Sequence, residues 1–200
     1  MKKRNLIAVA AVAVLLAACI PSVNPFYRDK DVVFDQRLLG EWQEKDNTNN
    51  PEIWKFAAST NNAYSLTVVE DGKTGEFSAH LFKLNDERFL DLIPTDCKYA
   101  TDQSDLVAYS MFPGHLLARV PQIDPTLKLF FFDFDWLDNY LKENPTALEH
   151  HQEGDRMVIT ADTSALQNFV LKHLGTNELF KEAGEMVRRT NETNSSTGAR

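Results

Sequence analysis

Cysteine is scarce in this chain, since Cys19 and Cys97 are the only two among 200 residues. The sequence contains no C-x-x-C motif and no zinc-ligand spacing, so it predicts neither a redox pair nor a structural zinc site. We accordingly predict no metal and no cofactor. If the thiol of Cys19 is modified, Cys97 has no partner for a disulfide, and the apolar strands that flank it favour a buried, inert thiol.

Basic residues are also in deficit: 21 lysines and arginines face 29 aspartates and glutamates, for a formal net charge of −8. If Lys2, Lys3 and Arg4 are removed with an N-terminal leader, 18 basic residues remain against 29 acidic ones, and the net charge becomes −11. A domain this acidic is poorly suited to bind polyanions. We therefore predict no nucleic-acid partner and no basic face directed at anionic lipid.

Long apolar runs are limited to one, from Leu6 to Ala18, which follows the basic start of the chain. The run has about 13 residues, whereas a helix that crosses a bilayer needs about 20. It lacks the polar gaps of an amphipathic core helix. These properties predict an export signal, and we expect no membrane-spanning segment in the mature protein.

The end of this run carries the most specific motif in the chain. Leu16, Ala17 and Ala18 lead directly into Cys19, and this arrangement resembles the lipobox of bacterial lipoproteins. The resemblance implies cleavage between Ala18 and Cys19 and attachment of a diacylglycerol to the Cys19 thiol. Two or three acyl chains would hold the protein firmly on a membrane. By resemblance to lipoprotein sorting in Gram-negative bacteria, Ile20 instead of aspartate as the second mature residue implies the periplasmic face of an outer membrane.

With cleavage after Ala18, the sequence divides into four parts: a signal peptide at 1–18, a lipidated tether at 19–34, one β-rich domain at 35–188 and a tail at 189–200. Two prolines in the second part favour an extended tether. Hydrophobic residues make up 43% of the chain, enough for one domain with a substantial core. The polar tail has nothing to bury and is predicted to be disordered.

Alternation with a period of two residues dominates the first part of the domain and indicates antiparallel strands bounded by turns. Asp71 and Gly72 lie in a strong hairpin connection. The predicted strand at Leu127–Phe134 is apolar on both faces, as expected where both faces are covered. Eight strands are predicted at Leu39–Glu44, Glu52–Phe56, Tyr64–Val68, Glu76–Leu84, Arg88–Ile93, Asp105–Phe112, His115–Val120 and Leu127–Phe134.

Helical spacing replaces this alternation after Asp135, where an apolar stripe begins at Trp136. Strand character returns briefly at Asp155–Thr160. Ser164 and Gln167 fit a capping box at the start of a second helix that Gly175 ends. Asn177 is predicted to cap a last short helix that runs through Met186.

This order of elements resembles the lipocalin layout, in which antiparallel strands are followed by a helix and one more strand. Gly40 and Trp42, with Asp35 and Leu39 before them, match the G-x-W motif of that family. The resemblance implies a mainly β or α+β domain of about eight or nine strands. Gly40 would permit close backbone approach and Trp42 would close one end of a barrel.

Two departures from the lipocalin pattern accompany this match. The segment Thr95-Asp96-Cys97 has cysteine where the second family motif has tyrosine, and the strand at Leu127–Phe134 has no arginine to stack on Trp42. Either a closed antiparallel barrel or a strongly curved, half-open sheet wrapped on the C-terminal helices is consistent with the sequence.

Candidate catalytic residues are few, and the chain has neither a G-x-S-x-G elbow nor a phosphate-binding glycine loop. His115 could work with Asp133 or Asp135, whose side chains would share one face of a continuing strand. The structural alternative, which we favour, is that Asp135 caps the following helix while Asp133 faces solvent.

Other polar clusters have simpler interpretations. His150 and His151 are adjacent, so on an extended chain they point to opposite sides and are poorly placed to bind one metal. The acidic residues Asp96, Asp102 and Asp105 lack the glycine and the closing glutamate of a calcium loop. The aromatic run from Phe130 to Trp136 is predicted to pack in the core rather than to form an exposed surface.

Three classes of function follow from these observations. The first is a non-catalytic binding or scaffold lipoprotein of the cell envelope that holds a small apolar ligand in a barrel. The second is an envelope hydrolase that uses His115 with Asp133 or Asp135. The third is an assembly subunit that contacts another envelope protein through a sheet edge or through the C-terminal helices.

Overall fold

The computed structural model describes residues 20–47, 49–95, 112–154, 156–176 and 178–189. Several predictions concern residues outside these ranges. They are the signal peptide, Cys19, Cys97 and the motif around it, the cluster of Asp96, Asp102 and Asp105, most of the strand expected at 105–112, the cap at Asn177, and the tail beyond Arg189.

Within the described ranges, eight strands close into an antiparallel barrel in the order β1-β10-β7-β6-β5-β4-β3-β2. This confirms a mainly β fold and decides for the closed barrel over the half-open sheet. The barrel strands are β1 Gly40–Glu44, β2 Ile53–Ala58, β3 Tyr64–Glu70, β4 Lys73–Leu84, β5 Glu87–Pro94, β6 Leu116–Gln122, β7 Thr126–Phe132 and β10 Phe180–Arg188.

Tight turns set the register of the meander. Glu70 pairs with Lys73 across the β3–β4 turn, and the two residues between them, Asp71 and Gly72, have φ of 49° and 74°. Aspartate tolerates this left-handed region and glycine adopts it freely, so the sequence suits a hairpin turn of this kind. The predicted hairpin connection is therefore confirmed.

The barrel wall separates two hydrophobic clusters. The inner cluster contains large side chains such as Trp42, Leu66 and Leu90. The outer cluster lies between the wall and the helices and includes Phe82, Phe89 and Phe132. Neighbouring residues on one strand, such as Leu81 and Phe82, belong to different clusters because side chains alternate across a sheet.

Strand β7 contributes to both clusters, as its apolar sequence predicted. Leu127 and Leu129 face the barrel interior, and Phe131 packs against the same cluster. Phe130 and Phe132 pack on the outer side. The aromatic run is thus in the core, which confirms that prediction.

Two α-helices cover the outside of the barrel in the described part of the chain: α1 Phe134–Glu143 and α2 Thr163–His173, with the hairpin β8 His150–Glu153 and β9 Arg156–Ile159 between them. The N-cap of α1 is Asp133, whose side chain accepts a hydrogen bond from the Trp136 amide. The expectation that Asp135 is the cap and that Asp133 faces solvent is wrong: the cap lies two residues earlier, because the helix begins at Phe134.

The predicted capping box of α2 is also corrected. Asp162 is the N-cap and accepts from the Ala165 amide at 2.8 Å. Ser164 instead accepts from the Arg28 guanidinium, and Gln167 donates to the carbonyl of Phe26. Both side chains therefore bind the N-terminal segment rather than the end of their own helix.

The last element differs most from its prediction. The segment expected to form a short helix through Met186 is strand β10, which pairs with β7 and β1 and closes the barrel. Its register shifts between Glu182 and Gly184, and this bulge interrupts the alternation by which a strand is recognised. Pairing on both edges outweighs the local helix propensity of this segment.

Residues 20–34 lie along the outer wall rather than extending from it as a tether. Ile20, Ser22 and Phe26 are at most 3% exposed, and Ser22 forms bridges to His115 and Ile159. Val32 bridges to Phe82 in β4. Ile20 and Phe26, which flank the two prolines, pack in the outer cluster, and this corrects the prediction of an extended tether. Neither described helix has the length and hydropathy needed to cross a membrane.

Candidate functional site

One end of the barrel is filled by Trp42. The indole ring is fully buried, and its N–H donates to the carbonyl of Leu38 at 2.9 Å. Leu38 ends a short 3-10 helix, Gln36–Leu38, that crosses this end. The guanidinium of Arg188 lies 4.4 Å from the centre of the indole ring, a cation–π contact.

Arg188 also binds the chain that leads into β1. Its guanidinium donates to the carbonyls of Leu39 and Arg37, and a side chain at Gly40 would lie 3.3 Å from its Nη1. The strand at Leu127–Phe134, where the lipocalin pattern predicts an arginine over Trp42, has none. The arginine over Trp42 comes from β10 instead. The two-residue spacing of Met186 and Arg188 after the bulge is the sequence feature that could have indicated this strand.

Among the described residues, no side chain fills the other end of the barrel, which opens into an apolar cavity of about 330 Å³. This volume is at the lower end of the range for pockets that hold small organic molecules. Trp54, Phe77 and Met186 form part of its wall. The other lining residues are Glu44, Glu52, Val68, Glu70, Lys73, Thr74, Gly75, Leu92, Leu116, Leu129, Phe131, Ala183, Gly184 and Glu185.

One side of this open end is acidic. Glu44 ends β1 and Glu52 immediately precedes β2, and the Glu44 amide donates to the Glu52 carbonyl. The indole N–H of Trp54 donates to Oε1 of Glu52 at 2.5 Å. Burial raises the pKa of the Glu52 carboxyl, and the charges of Glu70 and Glu44 add to this effect, while the Trp54 bond opposes it.

A third carboxylate at the open end is already neutralised. Glu185 accepts from Lys45 and forms a second ion pair with Lys128. These hydrogen bonds, first from Lys128 and then from Lys45, lower the pKa of Glu185 to about 2. The carboxylates of Glu44 and Glu52 have no such lysine partner among the described residues.

The histidine singled out in the sequence is paired with a different acid. His115 Nδ1 lies 2.7 Å from Oδ1 of Asp91, a fully buried carboxylate whose Oδ2 accepts from the Phe26 amide. No hydrogen bond joins His115 to Asp133 or Asp135 within the described residues. The pair on which the hydrolase hypothesis depended is therefore not formed, and the His115–Asp91 pair fastens the N-terminal segment to the wall.

The two adjacent histidines lie on the β8–β9 hairpin. His150 and His151 are adjacent residues of β8, and Nδ1 of His150 bonds to the carbonyl of Leu148. No group of three or more histidine, cysteine, aspartate or glutamate side chains in the described part of the chain could hold a metal ion.

The fold and its two ends define a class: a small closed antiparallel barrel, lipocalin-like in layout, with one end filled by tryptophan and the other open to an apolar cavity. No family model matches the chain, and neither a curated protein nor a solved structure matches it significantly. The likeness to the lipocalin layout therefore lies in geometry, namely the closed barrel, the buried Trp42 and the Arg188 above it.

Proposed function

We propose that this protein is a lipid-anchored binding protein of the cell envelope whose barrel holds a small apolar ligand at its open end. The cavity is the observation that carries this proposal. Its walls are mainly aliphatic and aromatic, with a few polar groups at one side. This composition is typical of sites for small molecules, where apolar walls give affinity and a few polar groups give orientation.

Other routes to partner binding have less support. Every barrel strand among the described residues has a neighbour on both sides, so a partner cannot add a strand to this sheet. An interaction through a sheet edge is left only to the β8–β9 hairpin. The exposed large apolar residues in the described chain are Val23, Phe34 and Phe112.

A probe-binding experiment tests the proposal. The chain from residue 20 onward contains both hydrophobic clusters and every described strand. We expect it to bind N-phenyl-1-naphthylamine, a neutral apolar fluorophore, with enhanced emission. Ala183→Phe places a ring in the cavity and should abolish the enhancement. Ala57→Phe, on the outward face of β2, is the matched control and should leave it intact.

Equal enhancement in the wild type and in Ala183→Phe, with unchanged unfolding midpoints, would mean that the fluorophore binds elsewhere and would refute the proposal. Native mass spectrometry of the purified protein adds an independent measurement. An apolar molecule that co-purifies with the wild type and is lost in Ala183→Phe would identify the natural ligand by its mass.

The lipid anchor is the second part of the proposal. It rests on the lipobox at Leu16–Cys19. Ile20, the next residue, is buried against the barrel. An acylated Cys19 would hold the barrel directly at the membrane surface, without a spacer. We expect Cys19→Ser to leave the unprocessed precursor in place and to release no lipidated product. Globomycin, which blocks the lipoprotein signal peptidase, should cause the wild-type precursor to accumulate.

A further inference from the structure

We propose that the cavity selects an apolar molecule that carries a protonated amine, with Glu44 and Glu52 receiving the amine at the open end. This inference rests on the proposed function and names the chemical class of its ligand. It is carried by the placement of two carboxylates beside an otherwise apolar wall.

Glu44 supplies the first argument. Its Oε2 is fully buried and has no hydrogen-bond partner among the described residues. Leaving a buried carboxylate oxygen without a donor is costly, because the group has lost water and gained nothing in exchange. An ammonium group carries three N–H donors and no acceptor, so it can satisfy this oxygen while an alkyl chain fills the cavity.

Glu52 supplies the second argument. The Trp54 indole donates to Oε1 and so fixes the orientation of this carboxylate, and the neighbouring Oε2 has no hydrogen bond within the described chain. Glu70 lies close enough for its charge to act on Glu52. The acidic groups therefore lie together on one side of the opening, and a cation would relieve the repulsion among them.

Within the part of the chain that the structure describes, the cations near the opening do not cancel this charge. Lys45 and Lys128 both pair with Glu185. Lys73 also lines the cavity, but it is exposed at the start of β4. Glu70, which also lines the cavity, pairs with Lys73 across the β3–β4 turn and so places a negative charge beside any carboxylate bound there. Lys73 is the one basic residue among the described lining residues, and it would favour a fatty acid. The experiment therefore varies the head group of the ligand.

The experiment compares three ligands with one alkyl chain and different heads: decylamine, 1-decanol and decanoate. Each displaces N-phenyl-1-naphthylamine from the chain that begins at residue 20, at pH 7 and below the aggregation limit of the ligand. We expect decylamine to bind about tenfold or more tightly than 1-decanol, since hydrogen bonds to charged groups exceed neutral ones. Decanoate should bind more weakly than 1-decanol.

Charge variants assign the preference to its residues. Glu44→Gln and Glu52→Gln should each weaken decylamine binding severalfold while 1-decanol binding stays the same. Glu182→Gln, an exposed residue of β10 outside the cavity wall, makes the same charge change and should alter neither. Lys73→Gln should leave the order of the three ligands unchanged.

Each alternative result has a distinct meaning. Equal affinities for amine and alcohol, or the tightest binding for decanoate, would overturn the inference while leaving the cavity as a binding site. Displacement by none of the three would contradict the proposed function itself. The head-group series in the wild type requires no variant, so a glutamine variant that fails to fold does not remove the test.

Discussion

Removal of the Asp91 carboxylate should loosen the N-terminal segment from the barrel. Asp91 is completely buried, and its two oxygens serve two elements: Oδ1 binds His115 Nδ1 and Oδ2 accepts from the Phe26 amide. In Asp91→Ala both donors lose their acceptor. A buried polar group left without a partner costs about 1–3 kcal/mol, so for the two donors together we expect a loss of about 2–6 kcal/mol in the free energy of unfolding.

Urea unfolding at neutral pH, followed by circular dichroism, measures this loss. Hydrogen exchange then shows where it falls, because the amide of Phe26 should lose its protection more than amides of the barrel strands. Glu149→Ala is a control, since this residue is exposed and its side chain makes no hydrogen bond among the described residues. We expect the control to lie within about 0.5 kcal/mol of the wild type.

The reasoning would be refuted if Asp91→Ala were as stable as the control. It would also fail if the lost stability appeared uniformly across the barrel while Phe26 stayed protected. Asp91→Asn provides a graded check: its amide keeps one acceptor oxygen and replaces the other with a donor, so its loss should fall between those of the wild type and Asp91→Ala.

Three further predictions concern stability. Trp42→Ala should lower the free energy of unfolding by about 3–5 kcal/mol, because it empties the closed end and removes the ring under Arg188. Trp136→Ala, on the half-exposed face of α1, should cost less than half of that in the same urea assay. Lys128 and Lys45 lower the pKa of Glu185 in the folded protein to about 2. The ionised carboxylate therefore stabilises the fold above the unfolded-state pKa, and this stability is lost as the pH falls through the folded-state pKa. Glu185→Gln should shrink the drop in melting temperature between pH 4.5 and pH 2. An unchanged pH profile in that variant would contradict the ion pairs. His173 has a buried Nε2 without a partner among the described residues, and burial, together with the charge of Lys172, lowers the pKa of this side chain from 6.5. The unfolded state therefore takes up the proton first as the pH falls. His173→Phe should be neutral or stabilising by about 1 kcal/mol, and the gain should grow from pH 7 to pH 5 in the same melts.

The barrel was predictable from sequence where one strand contacts a neighbour across a short turn. The alternation in β2 and β3 and the Asp71-Gly72 turn specify local pairing, and these elements appear as expected. Strand β10 was not predictable in this way. It pairs with β7 and β1, which are distant in the chain, and its bulge at Gly184 shifts the face that each residue presents.

The candidate site was only partly predictable for the same reason. Gly40 and Trp42 were recognisable as a motif, but Arg188 above them depends on the position of β10. The acidic side of the cavity requires β1 and β2 to be paired in one register, so that Glu44 lies beside Glu52. His115 was noted from sequence with the wrong acid, because Asp91 reaches it only across the β5–β6 pairing.

The position of a bound amine tests the central claim most directly. Isotope-filtered nuclear Overhauser spectra of decylamine with the labelled chain from residue 20 report which methyl groups contact the decyl chain. We predict contacts with Leu129 and Met186 inside the open end of the barrel and none with Leu137 or Leu166 in the outer cluster. Contacts confined to the outer cluster would contradict a ligand site in the barrel cavity.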